Sequence, residues 1–192
     1  MILETVVVGF LMTNCYILAD KRGGDAVVID PGDDASSILD VVNGEELNVK
    51  YVLNTHGHFD HNGANEAIKL ATGAKIAAAI EDGNAGIDRR LSEGDVVKVG
   101  SLEIKVKSTS GHSAGSISLM VDNMLFSGDL IFAGSVGRTD FQGGSLEELR
   151  ESLEWVLTLP DDTIVYPGHG EHFGLSAEKT SNPYLVWAGK DE

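Results

Sequence analysis

Seven residues, Thr55-His56-Gly57-His58-Phe59-Asp60-His61, constrain this chain more than any other stretch. They hold three of its six histidines and a carboxylate. Buried without partners, such a cluster would cost stability, and at acid pH its imidazoles would repel one another. A divalent cation removes both penalties, because neutral imidazole and ionised carboxylate are good ligands for it. The remaining candidate ligands, His112, Asp129 and His169, are far away in sequence, each in its own glycine-rich turn. The chain is expected to fold so that these turns meet the cluster.

Spacing divides the cluster. His56 and His58, two residues apart, place their side chains on one side of an extended segment, and Asp60 continues that alternation. His61 then points elsewhere. One cation cannot readily use four groups from so short a loop, whereas two neighbouring cations can. The reading gives His56 and His58 to one ion, with His112 as its third imidazole. It gives Asp60 and His61 to a second ion, with His169. Asp129 has two oxygens and can bridge both. Gly111, Gly128, Gly168 and Gly170 beside these ligands permit tight turns and close backbone approach. Two divalent ions opposed by two carboxylates leave the site electropositive enough to hold a bridging hydroxide, since coordination lowers the pKa of water to about 7. The chemistry implied is metal-assisted hydrolysis of a small molecule such as a thioester, lactone, lactam or phosphodiester. Asp60 could also steer the nucleophile or pass a proton. Zinc is the expected metal, and iron or manganese suits the same donors. Asp30, in the turn Asp30-Pro31-Gly32, could support a ligand from behind or serve only the turn.

Composition excludes other classes. With 30 Asp+Glu against 14 Lys+Arg, the formal charge is −16, which argues against nucleic acid or an anionic membrane as partner. No apolar run approaches the ~18 residues of a membrane span, and no basic stretch precedes the N-terminal apolar segment, so a cytoplasmic location is expected. Cys15 is the only cysteine and lies in an apolar run, which reads as a buried structural thiol. The 192 residues suit one domain, 1–192.

Hydrophobic patterning gives strands at 5–8, 15–19, 26–29, 49–53, 75–79, 96–99, 102–106, 117–121, 124–126 and 163–166. Asp33 or Ser36 is expected to cap a short helix running to Val42, and Asn62 a helix from Gly63 to Leu70. Ser145-Leu146-Glu147-Glu148 is a capping box before a helix with an apolar stripe at Leu146, Leu149, Leu153, Val156 and Leu157. Glu81 to Arg90 reads as a loop or short helix. Strand runs alternating with helical material favour two sheets packed face to face with helices outside.

Taken in order, Thr55-His-Gly-His-Phe-Asp-His61, Gly111-His112-Ser-Ala-Gly-Ser116, Ser127-Gly-Asp129 and Tyr166-Pro-Gly-His-Gly170 resemble the successive motifs of the metallo-β-lactamase superfamily. The resemblance spans essentially the whole chain. It implies an α+β, four-layer αββα sandwich of two mixed sheets, with the metal site at one edge. Gly134-Ser-Val-Gly-Arg-Thr-Asp-Phe141 and Glu178-Lys-Thr-Ser-Asn-Pro-Tyr184 are similar to the short glyoxalase II-like branch, whose usual activity is hydrolysis of hydroxyacylglutathione thioesters such as S-lactoylglutathione. Full-length members of that branch carry a C-terminal helical glutathione-binding domain. The chain ends about twenty residues after His169, so no such domain is expected here. Arg138 to Gln142 also resembles a run in iron-dependent persulfide dioxygenases, but those place aspartate after the last histidine, where this chain has Gly170. A lactonase or β-lactamase would use the same ligands. Arg138 could bind a substrate carboxylate or pair with Asp140.

Overall fold

The computed structural model describes residues 1–79, 81 and 86–190. One six-stranded sheet contains β1 (Ile2–Val8), β2 (Thr13–Ala19), β3 (Asp25–Ile29), β4 (Asn48–Leu53), β5 (Lys75–Ala78) and β6 (Arg89–Arg90), in that order. The second is ordered β14-β13-β10-β9-β8-β7. Its strands are β7 (Val96–Val99), β8 (Leu102–Ser108), β9 (Ile117–Val121), β10 (Met124–Gly128), β13 (Ile164–Pro167) and β14 (Phe173–Gly174). A hairpin of β11 (Ile131–Phe132) and β12 (Ser135–Val136) stands apart. The helices are α1 (Ala35–Gly44), α2 (Phe59–Asn62), α3 (Asn65–Thr72), α4 (Leu146–Thr158), α5 (Leu175–Ser181) and α6 (Pro183–Ala188). The mixed-sheet α+β sandwich is thus the one the motifs implied.

Three apolar cores separate the four layers. Strand β2 shows how one segment serves two of them. Its residues alternate faces, so Tyr16 and Leu18 join the core between the sheets while Cys15 and Ile17 join the core beneath α1 and α3. Every residue of β2 is buried. The third core lies between the second sheet and α4, α5 and α6, through Leu125, Val165, Leu149, Leu153, Leu175 and Leu185. Burial pushes the Cys15 thiol well above its ordinary pKa, consistent with a packing role.

Two parallel strand pairs fix where chemistry can occur. β3 pairs parallel with β4, so Asp30 and Thr55 emerge at the same end. β10 pairs parallel with β13, so Asp129 and His169 emerge together. The Ile117 N–H donates to the Thr55 carbonyl at 2.8 Å, and the Asn14 N–H to the Gly168 carbonyl at 2.7 Å, which bridges the two sheets at that end.

Several local expectations need correction. The N-cap of α1 is Asp34, at φ 48°, and not Asp33 or Ser36; its carboxylate accepts from the Gly9 N–H instead of capping the helix. Asn62 does not cap a helix from Gly63. Its side-chain amide donates to the Gly57 carbonyl at 2.9 Å, closing the histidine loop, and α3 starts at Asn65 behind Ala64. Residues 89–90 form β6 where a loop or short helix was expected; 82–85 lie outside the described residues. The Ser145 hydroxyl caps α4 by accepting from the Glu148 N–H. The Ser145 N–H, however, donates to the Gly111 carbonyl at 2.8 Å, so the capping box is half tertiary and ties α4 to the His112 turn. No helix among the described residues is long and apolar enough to cross a membrane.

Candidate metal centre

The fold brings all seven expected ligands to one end of the sandwich. His56, His58 and His112 each offer a nitrogen to one group, Asp60, His61 and His169 form another, and His56, His61 and Asp129 lie between them. Within each group the ligand atoms lie within 4.8 Å of one another. His112 Nε2 is 2.9 Å from His58 Nδ1. His61 Nε2 is 3.5 Å from both Asp60 Oδ2 and Asp129 Oδ1. His169 Nε2 is 3.3 Å from Asp60 Oδ2.

The far side of nearly every ring is fixed. His112 Nδ1 faces the Arg138 carbonyl at 2.8 Å, and His169 Nδ1 faces the Leu11 carbonyl at 3.1 Å. A carbonyl only accepts, so Nδ1 carries the proton in both and Nε2 presents its lone pair inward. The first sheet reaches the same result through side chains. The Thr55 hydroxyl donates to Asp30 Oδ2 at 2.6 Å and so is free to accept from His56 Nδ1 at 3.1 Å. The same Asp30 oxygen takes His61 Nδ1 at 3.0 Å, while Oδ1 accepts the Thr55 N–H at 2.8 Å. Asp30 therefore serves both the turn and the ligands, as a buried carboxylate orienting two imidazoles. It sits at φ 51°, a conformation Asp tolerates better than most residues.

Two glycines are dictated by closeness. A Cβ at Gly128, which has φ 51°, would run into the Thr55 hydroxyl. A Cβ at Gly168 would collide with Asp129 Oδ1 and His61.

Electrostatics prepare the donors unequally. Burial, reinforced by the neighbouring imidazoles, holds His56 well below its ordinary pKa, and burial with His112 lowers His58. Burial opposes a proton on His61, but the Asp30 carboxylate outweighs it and lifts the ring to about 9. Burial likewise opposes charge on Asp60. The His169 contact, His61 and the Thr13 hydroxyl outweigh it and keep that carboxyl ionised far below the usual carboxylate range. The Asp60 contact raises His169.

These residues fit metal. His56 Nε2, His61 Nε2 and Asp129 Oδ1 are buried and have no hydrogen-bond partner, yet all border one space. An unsatisfied buried polar atom costs about 1–3 kcal/mol. Three donor atoms converging on one point are what a cation can satisfy together, with His61 giving up its Nε2 proton as the ion binds.

Arg138 makes the pair with Asp140 that the sequence offered as one of its two readings. Its guanidinium is held by Asp140 through two contacts of 2.6 Å and lies 4.0 Å from the Phe141 ring centroid. Its backbone carbonyl is the atom that serves the centre. His172 stacks on Tyr166 away from the ligands. Sequence reasoning missed Thr13, Thr55 and the carbonyls of Leu11 and Arg138. Main-chain acceptors leave no residue-type signal, and Thr55 was hidden in plain view beside His56. It also missed the cleft walls, Leu11, Phe132 and Phe141, around a cavity of about 940 Å³ above the centre.

The Metallo-beta-lactamase superfamily matches residues 8–169 of this chain. The hydroxyacylglutathione hydrolase GloC of Haemophilus influenzae is 32% identical over 207 residues, covering 95% of this chain and 97% of its own. The crystal structure of ETHE1 from Myxococcus xanthus superposes with a TM-score of 0.91 at 34% identity, covering 100% of this chain and 86% of that one. TTHA1623, solved in a di-iron-bound form, gives a TM-score of 0.84 at 32% identity, covering 95% of this chain and 100% of that one.

Proposed function

The chain belongs to the metallo-beta-lactamase superfamily, and from that premise we propose that it is a metal-dependent hydrolase of thioesters, the class of bond that a hydroxyacylglutathione hydrolase cleaves. The observation that carries the reading is the convergence of the unpartnered His56, His61 and Asp129 atoms with four further donors. In this proposal His56, His58 and His112 would hold one ion and Asp60, His61 and His169 a second, with Asp129 placed to contribute beside them. Bound there, the ions supply Lewis acidity and an ionised water at neutral pH. Zinc is the proposed occupant. The likeness to a di-iron protein keeps iron as the occupant to test against it.

The chain's own groups define the rest. Asp60 is ionised, anchored by the Thr13 hydroxyl at 3.1 Å, and open to the cleft. It can accept a hydrogen bond from incoming water and orient it towards the acyl carbon. Phe132 and Phe141 limit water around the scissile bond. Support for thioesters over other acyl bonds comes from the near full-length likeness to GloC and from Gly170, which follows His169 as in the hydrolases.

The test is a thioester panel, S-lactoylglutathione included, run on metal-quantified protein beside an oxygen-uptake assay with a persulfide. Turnover of thioesters with two metals per chain is the expected result. One iron per chain with oxygen consumption would overturn it in favour of a persulfide dioxygenase.

A further inference from the structure

Above the ligands, the cleft is walled by Leu11, Phe59, Phe132 and Phe141, with Arg138 and Gln142 among them. Phe141 stands edge-on to His58, with ring centroids 5.7 Å apart, and Phe132 edge-on to His169, at 6.2 Å. One aromatic wall therefore rises beside each end of the ligand set. Leu11 forms a third wall, held by the bond from His169 to its carbonyl. Phe59 is 69% exposed and Phe141 47% exposed, both at the cavity mouth. Leaving aromatic surface exposed in this way is unfavourable unless something covers it.

The Phe132 wall is deliberately held. Asn182 donates from its side-chain amide to the carbonyls of Phe132 and Ser135, both at 3.2 Å. Glu178 accepts from the Gly134 N–H at 2.7 Å. These residues of the 178–184 motif reach no ligand. They fix the β11–β12 hairpin, and with it the ring that faces the cavity.

Charge argues in the same direction. Arg138 is the only Lys or Arg among the described residues that line the cavity, and Asp140 occupies its guanidinium. The residues outside the described set include no Lys or Arg. Among the described residues of the walls, a carboxylate of glutathione would find only Arg138, and would have to displace Asp140 to reach it.

We propose that the substrate is a thioester with an extended apolar acyl group on a thiol that carries no carboxylate. The acyl chain lies between Leu11, Phe132 and Phe141. The inference rests on the thioester reading and moves the preferred carrier away from glutathione. Water adds to the acyl carbon, the C–S bond breaks, the thiolate leaves and takes up a proton, and the carboxylic acid formed loses one. No electrons are exchanged.

The experiment has two arms. In the first, acetyl, butyryl, hexanoyl and octanoyl esters of N-acetylcysteamine are compared with the same acyl groups on glutathione. kcat/KM should rise about two- to fourfold per methylene, as expected for apolar surface leaving water, and should be higher on the neutral thiol. Phe141→Ser and Phe132→Ser, each checked for folding by circular dichroism, should flatten that rise. In the second arm, octyl and ethyl thioethers of N-acetylcysteamine, which cannot be hydrolysed, are titrated calorimetrically. The octyl compound should bind more tightly, with a negative heat-capacity change. A flat acyl series, or a preference for glutathione esters, overturns the inference while leaving thioester hydrolysis intact. If no thioester turns over, the thioester reading falls, and equal binding of the two thioethers then sinks the apolar cleft as well.

Discussion

The floor and the mouth of the site are built on opposite principles. On the floor, His56, His61 and His112 are buried, and each has its outer nitrogen tied to a named acceptor. At the mouth, Phe59 and Arg138 are largely exposed and Phe141 about half exposed, and Arg138 is held by surface contacts, to Asp140 and over the Phe141 ring. Polar groups can be left in a dry place only where every valence is assigned. Apolar rings can be left in water where a ligand will cover them. The floor is thus specified atom by atom, and the mouth only by shape and polarity.

That contrast can be broken at its strong end first. Asp129→Ala should lower thioester turnover by roughly a thousandfold or more, with the far-ultraviolet spectrum retained, and His58→Ala should do the same. Full turnover in either variant would show that the ligand set is misassigned. Next, Asp30→Asn keeps a residue that accepts positive φ but removes the carboxylate shared by Thr55 and His61. It should weaken metal binding about ten- to a hundredfold, measured by competition with a chromophoric chelator; unchanged affinity would reduce Asp30 to a turn residue. At the mouth, Phe141→Ala should leave metal content at wild-type level and change stability by no more than about 0.5 kcal/mol, read from urea denaturation, while KM for a long-chain thioester rises. Metal loss in that variant would erase the distinction between the two regions.

The smallest effect belongs to Arg138 and Asp140. The guanidinium holds the Asp140 carboxyl down to about 2 from an ordinary 3.8. A depressed folded-state pKa contributes stability that is complete above the ordinary value and disappears as pH falls through the lower one. Both side chains are largely exposed, so solvent screens the pair. Asp140→Asn should lower Tm by only ~1–2 °C near neutrality, and the two melting curves should converge as pH drops from 3.8 towards 2. A gap that persists at the acid end would mean that Asp140 acts through something other than its charge.

The same contrast explains what could be read from the chain. The seven ligands were legible because imidazole and carboxylate are scarce, and scarce groups placed in glycine turns carry information. The sheet strands were legible because β2 and β4 are apolar runs and β7 and β8 alternate. The start of α1 was placed at Asp33 or Ser36, whereas Asp34 takes the cap position and turns its carboxylate to Gly9, a residue distant in sequence. Asn62 was misread because its amide closes the Gly57 loop, a contact that exists only once the loop has formed. α5 and α6 were not anticipated as helices, since each is short and gains its stability from packing on the second sheet. Phe132 and Phe141 looked like any other aromatic residue, because their role depends on where the β11–β12 hairpin and the Gly134–Gly144 loop are held.

The origin of the ligands has a mechanical consequence. Each of the three groups takes two residues from the loop after β4, in the first sheet, and one from a turn of the second: His112, Asp129 or His169. An ion in any of them would rivet the two halves of the sandwich together across their open end. The sheets could not then part without first releasing it. Unfolding of the loaded protein should therefore track free metal concentration, so that the centre doubles as a clasp for the fold that builds it.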